Sequence, residues 1–233
     1  MLRPFTLLFL LLLSVPVAAQ GPARSFECKE GAGLSAIEGS GLLQKVQSTY
    51  SAVQALRADF IQSSYLESLD VTEVSSGQVF FQKPGLMKWV YREPAEQVFL
   101  IKADTLWFYQ AEERQVLIDN FRQVLISDLP VAFLMGIGDL SRDFSLDSAC
   151  RSEDGIVLSL RSKQAAQSEL KSFRLLVDPR TNLPAGASIS DVGNNVTTIV
   201  LNATQLQDKL DTKLFVPDFG SGLDIIDRRK ESK

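Results

Sequence analysis

Residues 82–91, QKPGLMKWVY, hold the pattern that limits the fold of this chain most strongly. They begin as a turn, with Pro84 beside Gly85, and continue as a strand with large apolar groups on both faces. A half-exposed antiparallel sheet normally alternates apolar and polar residues. Trp89 on one face and Val90 on the other therefore predict a sheet with apolar material on both sides.

Short runs of the same kind lie on both sides of this stretch. They include TEVSSGQVFFQ (72–82), EQVFLIKA (96–103), GIVLSLRSK (155–163) and NVTTIVLNATQL (195–206). Turn signals separate them at close intervals, which is typical of an antiparallel meander. Helical spacing predicts one amphipathic helix from about 40 to 55 with Ser40 as its N-cap, and a very apolar helix follows within 128–138. The sequence thus predicts a mainly β domain of about ten or eleven strands.

The two ends of the chain differ from its body. Residues 1–19 have Arg3, an apolar run and small residues at Val17 and Ala19, and they read as a cleaved secretory signal peptide. Residues 20–39, rich in Gly, Ala and Ser, are interpreted as a flexible leader. Residues 40–227 then form one domain, and residues 228–233 form a polar tail.

Composition argues against several function classes. The 233 residues carry a formal net charge of −4 without a basic cluster in the body of the chain, which disfavours a nucleic-acid partner. The chain contains no histidine, so Ser-His and Cys-His nucleophilic pairs and the commonest metal ligand are missing. No phosphate-binding glycine loop is present. We therefore expect no enzyme activity, no cofactor and no metal site.

The chain has two cysteines, Cys28 and Cys150. Export would bring them into an oxidising compartment, where a disulfide can persist. Closing a loop of about 100 residues would stabilise the fold by up to about 4–5 kcal/mol in the chain-entropy model. From the sequence alone, a disulfide and two free thiols both stay open.

Strands that carry apolar residues on both faces can be explained in two ways. The residues can fill a dense β-core, or a strongly curved sheet can enclose an apolar cavity on its concave face. Phe80 beside Phe81 and Trp107 beside Phe108 fit either arrangement. The sequence pattern alone does not distinguish a dense core from a cavity.

A set of motifs in fixed order adds a resemblance. The set comprises Phe60-x-Gln62, Gly77-x-Val79-x-Phe81-x-Lys83-Pro84-Gly85, Trp89-x-Tyr91-x-x-Pro94, Leu106-Trp107-x-Tyr109, and the later LPVAFLMGIGDL (129–140) and KLFVPDFGSGLDII (213–226). It resembles the outer-membrane lipoprotein carrier (LolA) family, over roughly Ser40 to Ile226. The resemblance implies a single incomplete, half-open antiparallel β-barrel with a helical lid.

The resemblance also implies a function. It predicts a monomeric periplasmic chaperone that binds the acyl chains of lipoproteins, takes them from an inner-membrane ABC-type releasing complex, and passes them to an outer-membrane acceptor lipoprotein. Lys83 matches the basic residue before the turn proline, where the well-known form has Arg and where the family uses the side chain to hold the lid.

The carrier hypothesis also predicts which residues line the apolar cavity. We expect it to comprise Phe60, Phe81, Met87, Trp89, Leu100, Leu106, Phe108, Leu129, Phe133 and Leu134. A shift of one residue in register would exchange the two faces of a strand. The alternative function is a periplasmic binding module for another lipid or hydrophobic ligand.

Overall fold

The computed structural model describes residues 24–121, 139–163 and 170–230, most of which lie in one sheet. The strands are β1 (Ala55–Leu66), β2 (Val71–Gln82), β3 (Leu86–Glu93), β4 (Gln97–Lys102), β5 (Thr105–Gln110), β6 (Gln115–Asn120), β7 (Phe144–Arg151), β8 (Ile156–Ser162), β9 (Leu170–Val177), β10 (Pro184–Asp191), β11 (Val196–Gln207) and β12 (Asp224–Asp227). The helices are α1 (Ala36–Ala52) and α2 (Leu140–Asp143), with 3-10 turns at Thr212–Phe215 and Arg228–Lys230.

The strands form an open, curled sheet in the order β12-β6-β5-β4-β3-β2-β1-β11-β10-β9-β8-β7. Neighbouring strands are antiparallel, except that β12 runs parallel to β6. The prediction of a mainly β, half-open sheet with a helix is confirmed. Twelve strands are present in the described part of the chain, against the ten or eleven predicted.

Helix α1 begins at Ala36, earlier than the predicted start near 40. Ser35 is its N-cap and forms a capping box with Glu38, in which each side chain accepts a backbone N–H of the other residue. Gly39 and Gly41 lie in the first turns and lower helix propensity there, which is why periodicity alone placed the start too late.

Gly39 allows α1 to approach the sheet closely. A Cβ atom added at this position would lie 2.8 Å from Cδ2 of Leu146 and 3.0 Å from Cβ of Ala149, both on β7. Gly41, one half-turn further on, has nothing within 4 Å of such a Cβ atom. The two glycines therefore differ in packing although they share one helix.

We expect Gly39→Ala to lower the free energy of unfolding by about 1–3 kcal/mol, because overpacking against β7 outweighs the gain in helix propensity. Gly41→Ala is the matched control and should stabilise the protein by up to about 1 kcal/mol. Urea denaturation of both variants measures the difference. Stabilisation by both substitutions would contradict the close packing of α1 on β7.

The face of the sheet that carries α1 is called the inner face. Leu42, Leu43, Val46 and Tyr50 of α1 belong to one buried cluster with inner-face residues of β1–β4 and β7–β10. Phe144 and Phe173 pack against each other within this cluster, with ring centroids 5.1 Å apart. The helix therefore fills the concavity of the curled sheet.

The opposite, outer face is covered by the two ends of the chain. The N-terminal strap (residues 24–34) buries Phe26 against Val157, Leu176 and Val200. The C-terminal strap (residues 208–219) covers the other half of the outer face. Its Leu210 and Phe215 pack with Phe80, Val98 and Leu100, and its Phe219 stacks on Tyr109 with centroids 5.2 Å apart. Both faces are apolar because both are buried.

The N-terminal strap is attached to edge strand β7. A disulfide joins Cys28 to Cys150 with 5.6 Å between their Cα atoms. The Lys29 N–H donates to the Arg151 carbonyl at 2.9 Å, and the Leu34 N–H donates to the Ala149 carbonyl at 2.8 Å. The interpretation of residues 20–39 as a flexible leader is therefore wrong for 24–39, which are folded.

Other sequence predictions fall partly or wholly on residues that the structure does not describe. The signal peptide (1–19) and the apolar helix predicted within 128–138 lie outside the described residues. In the predicted polar tail, Arg228–Lys230 form a 3-10 turn. Within 24–121, 139–163 and 170–230, no helix has both the length and the apolar character needed to cross a bilayer.

Candidate functional site

The inner face of β1–β5 forms an apolar wall opposite α1. Residues directly opposite each other on paired strands share a face, so the register defines this wall. Its two rows are Leu56, Phe81, Met87, Ile101 and Leu106, and Ala58, Val79, Trp89, Phe99 and Phe108. Phe60 is the next inner-face residue of β1 after Ala58, and it meets Trp89 and Tyr91 edge to face, with centroids 4.8 Å apart in each pair.

The structure brings most of the predicted lining residues to this wall. Phe60, Phe81, Met87, Trp89, Leu106 and Phe108 all lie on the inner face. The structure corrects the prediction for Leu100, which does not lie on this wall. Leu100 pairs with Lys88 and Trp107 on the outer face and is buried under the C-terminal strap. Leu129, Phe133 and Leu134 lie outside the described residues.

Aromatic rings continue along the inner face away from α1. Phe99 stacks on Phe108 with centroids 4.1 Å apart, and Tyr91 lies against Phe99 at 5.8 Å. The Tyr91 hydroxyl donates to Oε1 of Gln62 at 2.9 Å, and burial raises the pKa of Tyr91 to about 12. This part of the face offers half-buried aromatic surface, which suits contact with an aliphatic chain.

A small apolar cavity lies where α1 meets the wall. Its volume is about 30 Å³, room for only one or two water molecules. The lining consists of Tyr50, Leu56, Val79, Phe81, Met87, Trp89, Leu183, Pro184, Leu201 and Thr204. Because α1 and the wall occupy nearly all of the space, an acyl chain can enter only if α1 or neighbouring side chains move.

Lys83 holds the C-terminal end of α1. Its ammonium donates to the carbonyls of Tyr50 at 3.1 Å and Ser51 at 2.6 Å, and its backbone N–H donates to the Gln54 carbonyl at 2.9 Å. The last turn of α1 has no basic residue of its own, so Lys83 supplies the cation that the helix C-terminus favours. Partial burial lowers the pKa of Lys83. The predicted rim residue therefore contacts α1.

Tyr50 connects Lys83 with the wall. Its buried ring stacks on Phe81 with centroids 6.1 Å apart, and the Lys83 ammonium lies 5.9 Å from the ring centroid. Burial raises the pKa of Tyr50. The sequence analysis predicted the amphipathic helix whose apolar stripe carries Tyr50, but it did not assign Tyr50 to the site. Its aromatic ring at the end of that apolar stripe was the available signal.

Six other lining residues were not predicted, of which Leu56 and Val79 belong to β1 and β2. The other four come from later in the chain: Leu183 from the β9–β10 turn, Pro184 from the start of β10, and Leu201 and Thr204 from β11. Strand order brings these four residues to the cavity from more than 130 positions beyond Tyr50, because β11 pairs with β1 and β10 pairs with β11, and no local pattern marks them. Among the side chains that the structure describes, no cluster of Cys, Asp and Glu is placed to hold a metal ion. The arrangement is suited to binding apolar chains.

Comparison with known sequences gives relatives over most of the chain. The outer-membrane lipoprotein carrier protein of Legionella pneumophila (strain Lens) is 26% identical over 182 residues, which are 78% of this chain and 87% of that protein. The protein of the same description from Halorhodospira halophila is 28% identical over 187 residues, 80% of this chain and 86% of its own length. A Nitrosospira multiformis relative reaches 31% identity over 93 residues, 40% of this chain and 44% of that protein.

A solved structure shares the fold. An uncharacterized conserved protein from Thermus thermophilus superposes with a TM-score of 0.52 at 13% identity, covering 82% of this chain and 99% of that one. The family model described as "Outer membrane lipoprotein carrier protein LolA" matches residues 51–218, well over half of the 233 residues. The chain therefore belongs to the outer-membrane lipoprotein carrier family.

Proposed function

We propose that this protein is a periplasmic chaperone that binds the acyl chains of lipoproteins between α1 and the inner face and carries them from the inner to the outer membrane. One observation carries the proposal. A chain of this family has an apolar wall on the inner face of an open sheet, and α1 covers it. The name shared by the relatives, lipoprotein carrier protein, supports the same cargo.

Energetics favour a carrier. Each CH₂ group that leaves an apolar site for water costs about 0.8 kcal/mol, so several acyl chains would cost tens of kcal/mol in water. A protein that encloses the chains removes this barrier. It needs a reversible cover, and α1 fits that role because Lys83 holds its end by hydrogen bonds to two carbonyls.

The proposal extends to partners and location. The chain carries no nucleotide-binding motif, so loading needs an energy-consuming donor, which we take to be an inner-membrane ABC-type releasing complex. Delivery needs an outer-membrane acceptor lipoprotein that binds the acyl chains more strongly. Cleavage of residues 1–19 would release the chain into the periplasm, where the Cys28–Cys150 disulfide would be stable.

Native mass spectrometry of the protein isolated from the periplasm tests this function. We expect a fraction of the molecules to carry one lipidated lipoprotein, since the cargo binds through its acyl chains. A matched preparation from cells with lipoprotein acylation blocked should lose these complexes. Recovery of free phospholipid alone in both preparations would contradict the carrier function and favour a general lipid-binding module.

A further inference from the structure

The cavity under α1 lies beside a larger cleft. The cleft has a volume of about 350 Å³ and shares Leu183, Pro184, Leu201 and Thr204 with the cavity. These four residues are therefore the boundary between the two spaces. Anything that enters the cavity from this side passes between the β9–β10 turn and β11.

The cleft has an apolar part and a polar part. Six of its eleven lining residues are apolar, namely Leu183, Pro184, Ala185, Leu201, Ala203 and Leu206, and the other five are charged residues and threonines. Leu206 pairs with Leu56 of β1 and remains 53% exposed. The apolar part continues the apolar lining of the inner cavity outward to the protein surface.

Two arginines stand at the outer rim of the cleft. Arg24 donates from Nη2 to Oδ1 of Asn202 at 3.4 Å, and its charge also interacts with the Asp178 carboxylate. Arg180 pairs with Asp178 at 3.3 Å while its own side chain stays 88% exposed. The three charged residues that line the cleft, Arg24, Arg180 and Asp178, thus sum to one positive charge.

A second polar pocket lies on the far side of Arg24. Arg151, Glu153 and Asp154 line it together with Arg24, Asp178 and Arg180. Asp154 already accepts the backbone N–H of Ser25 at 2.6 Å. Glu153 and Asp154 line this second pocket but not the cleft, whose own lining contains Asp178 as its single acid.

We propose that this cleft binds the polar head of an anionic amphiphile whose acyl chain runs inward past Leu201 into the cavity under α1. The apolar walls match the first part of the chain. The guanidinium groups match a carboxylate or a phosphate, which accept paired hydrogen bonds from arginine. The inference rests on the proposed function in one respect, since the acyl chain would occupy the same cavity.

Isothermal titration calorimetry with two ligands of equal chain length tests the head-group site. Oleate is anionic and monoolein is neutral, and both are used below their aggregation concentrations with the mature, disulfide-bonded protein. We expect the double variant Arg24→Gln, Arg180→Gln to bind oleate about tenfold more weakly than the wild type and monoolein equally well. Raising the salt concentration should weaken only the binding of oleate.

Arg161→Gln is the matched control, because Arg161 pairs with Asp147 on β7, away from the cleft. It should leave the binding of both ligands unchanged. Adding 1-oleoyl-lysophosphatidylglycerol distinguishes the two sources of the anion. Tighter binding than oleate identifies a phosphate as the preferred head, and weaker binding identifies a carboxylate, while either ligand must lose affinity in the double variant.

Two results would overturn the proposal in distinguishable ways. If the double variant binds oleate and monoolein as tightly as the wild type, the head-group site is wrong and the acyl cavity stands. If the wild-type protein binds neither ligand although it carries lipoprotein in the periplasm, the cleft is not an entrance for amphiphiles. If it carries no lipoprotein either, the proposed function fails as well.

Discussion

Replacing Lys83 with leucine is expected to leave the fold intact and to slow the delivery of lipoprotein to outer membranes about tenfold. The substitution removes two hydrogen bonds from the ammonium to the carbonyls of Tyr50 and Ser51. It also removes the cation beside the C-terminus of α1. For a half-exposed lysine these contributions sum to about 1–2 kcal/mol, which is small compared with the burial of a twelve-stranded sheet.

Delivery is affected because α1 and the cargo compete for one surface. In the proposed carrier, α1 returns to the inner face as the acyl chains leave, and the contacts of Lys83 make that return more favourable. Without them the closed form loses about 1.4 kcal/mol, and the cargo-bound open form is populated about tenfold more. Cargo release is then slower at unchanged acceptor concentration.

Transfer of radiolabelled lipoprotein from the loaded protein to outer-membrane vesicles measures this effect. Lys88→Leu is the matched control, since Lys88 lies five residues further on, on the outer face opposite Phe80 and Leu100. Lys83→Arg should keep most of the activity, because guanidinium can donate to the same carbonyls. Wild-type transfer by the Lys83→Leu protein would show that Lys83 acts only as a local helix cap.

Removing the disulfide has the second large expected effect. Cys28 and Cys150 are 122 positions apart, so their bond constrains a long loop in the unfolded chain. The double variant Cys28→Ser, Cys150→Ser should lose up to about 4–5 kcal/mol of the free energy of unfolding. The loss also leaves the N-terminal strap attached by noncovalent contacts alone, which include the packing of Phe26, the backbone bonds to β7 and the hydrogen bonds of Arg24 and Ser25.

Urea denaturation with and without a thiol reductant checks this expectation. The wild-type midpoint should fall on reduction to near that of the double variant, whereas the double variant should not respond to the reductant. Equal midpoints for oxidised wild type and double variant would mean that the noncovalent contacts of the strap fix it equally well in both states.

The sequence allowed the inner face to be predicted better than the outer one. Period-two alternation placed Phe81, Met87 and Trp89 on one side, and the register bears out their common face. Leu100 was misplaced because β4 is apolar on both sides, with Phe99 facing inward and Leu100 outward. The residues that cover Leu100 come from the C-terminal strap, more than a hundred positions later, and local pattern carries no information on them.

Contacts that depend on which elements are neighbours in space could not be predicted from the sequence either. Leu183 and Leu201 line one cavity with Tyr50 because β11 pairs with β1 and β10 pairs with β11. The sequence analysis assigned Gly39 to the flexible leader. Its role in the close packing of α1 is visible only once β7 is known to lie beside it. Spacing along the chain predicts which residues share a strand face, and three-dimensional curvature decides which faces meet.

The attachment of the N-terminal strap to β7 has a consequence for self-association. An open sheet ends in two strands whose free amide and carbonyl groups can recruit a strand from another molecule. At one edge the strap already bonds β7 through Lys29, Leu34 and the Gly33–Cys150 bridge. The other edge, β12, has only four residues and carries Asp224 and Asp227. The sheet can thus expose its apolar inner face during loading while both edges resist growth into a polymer.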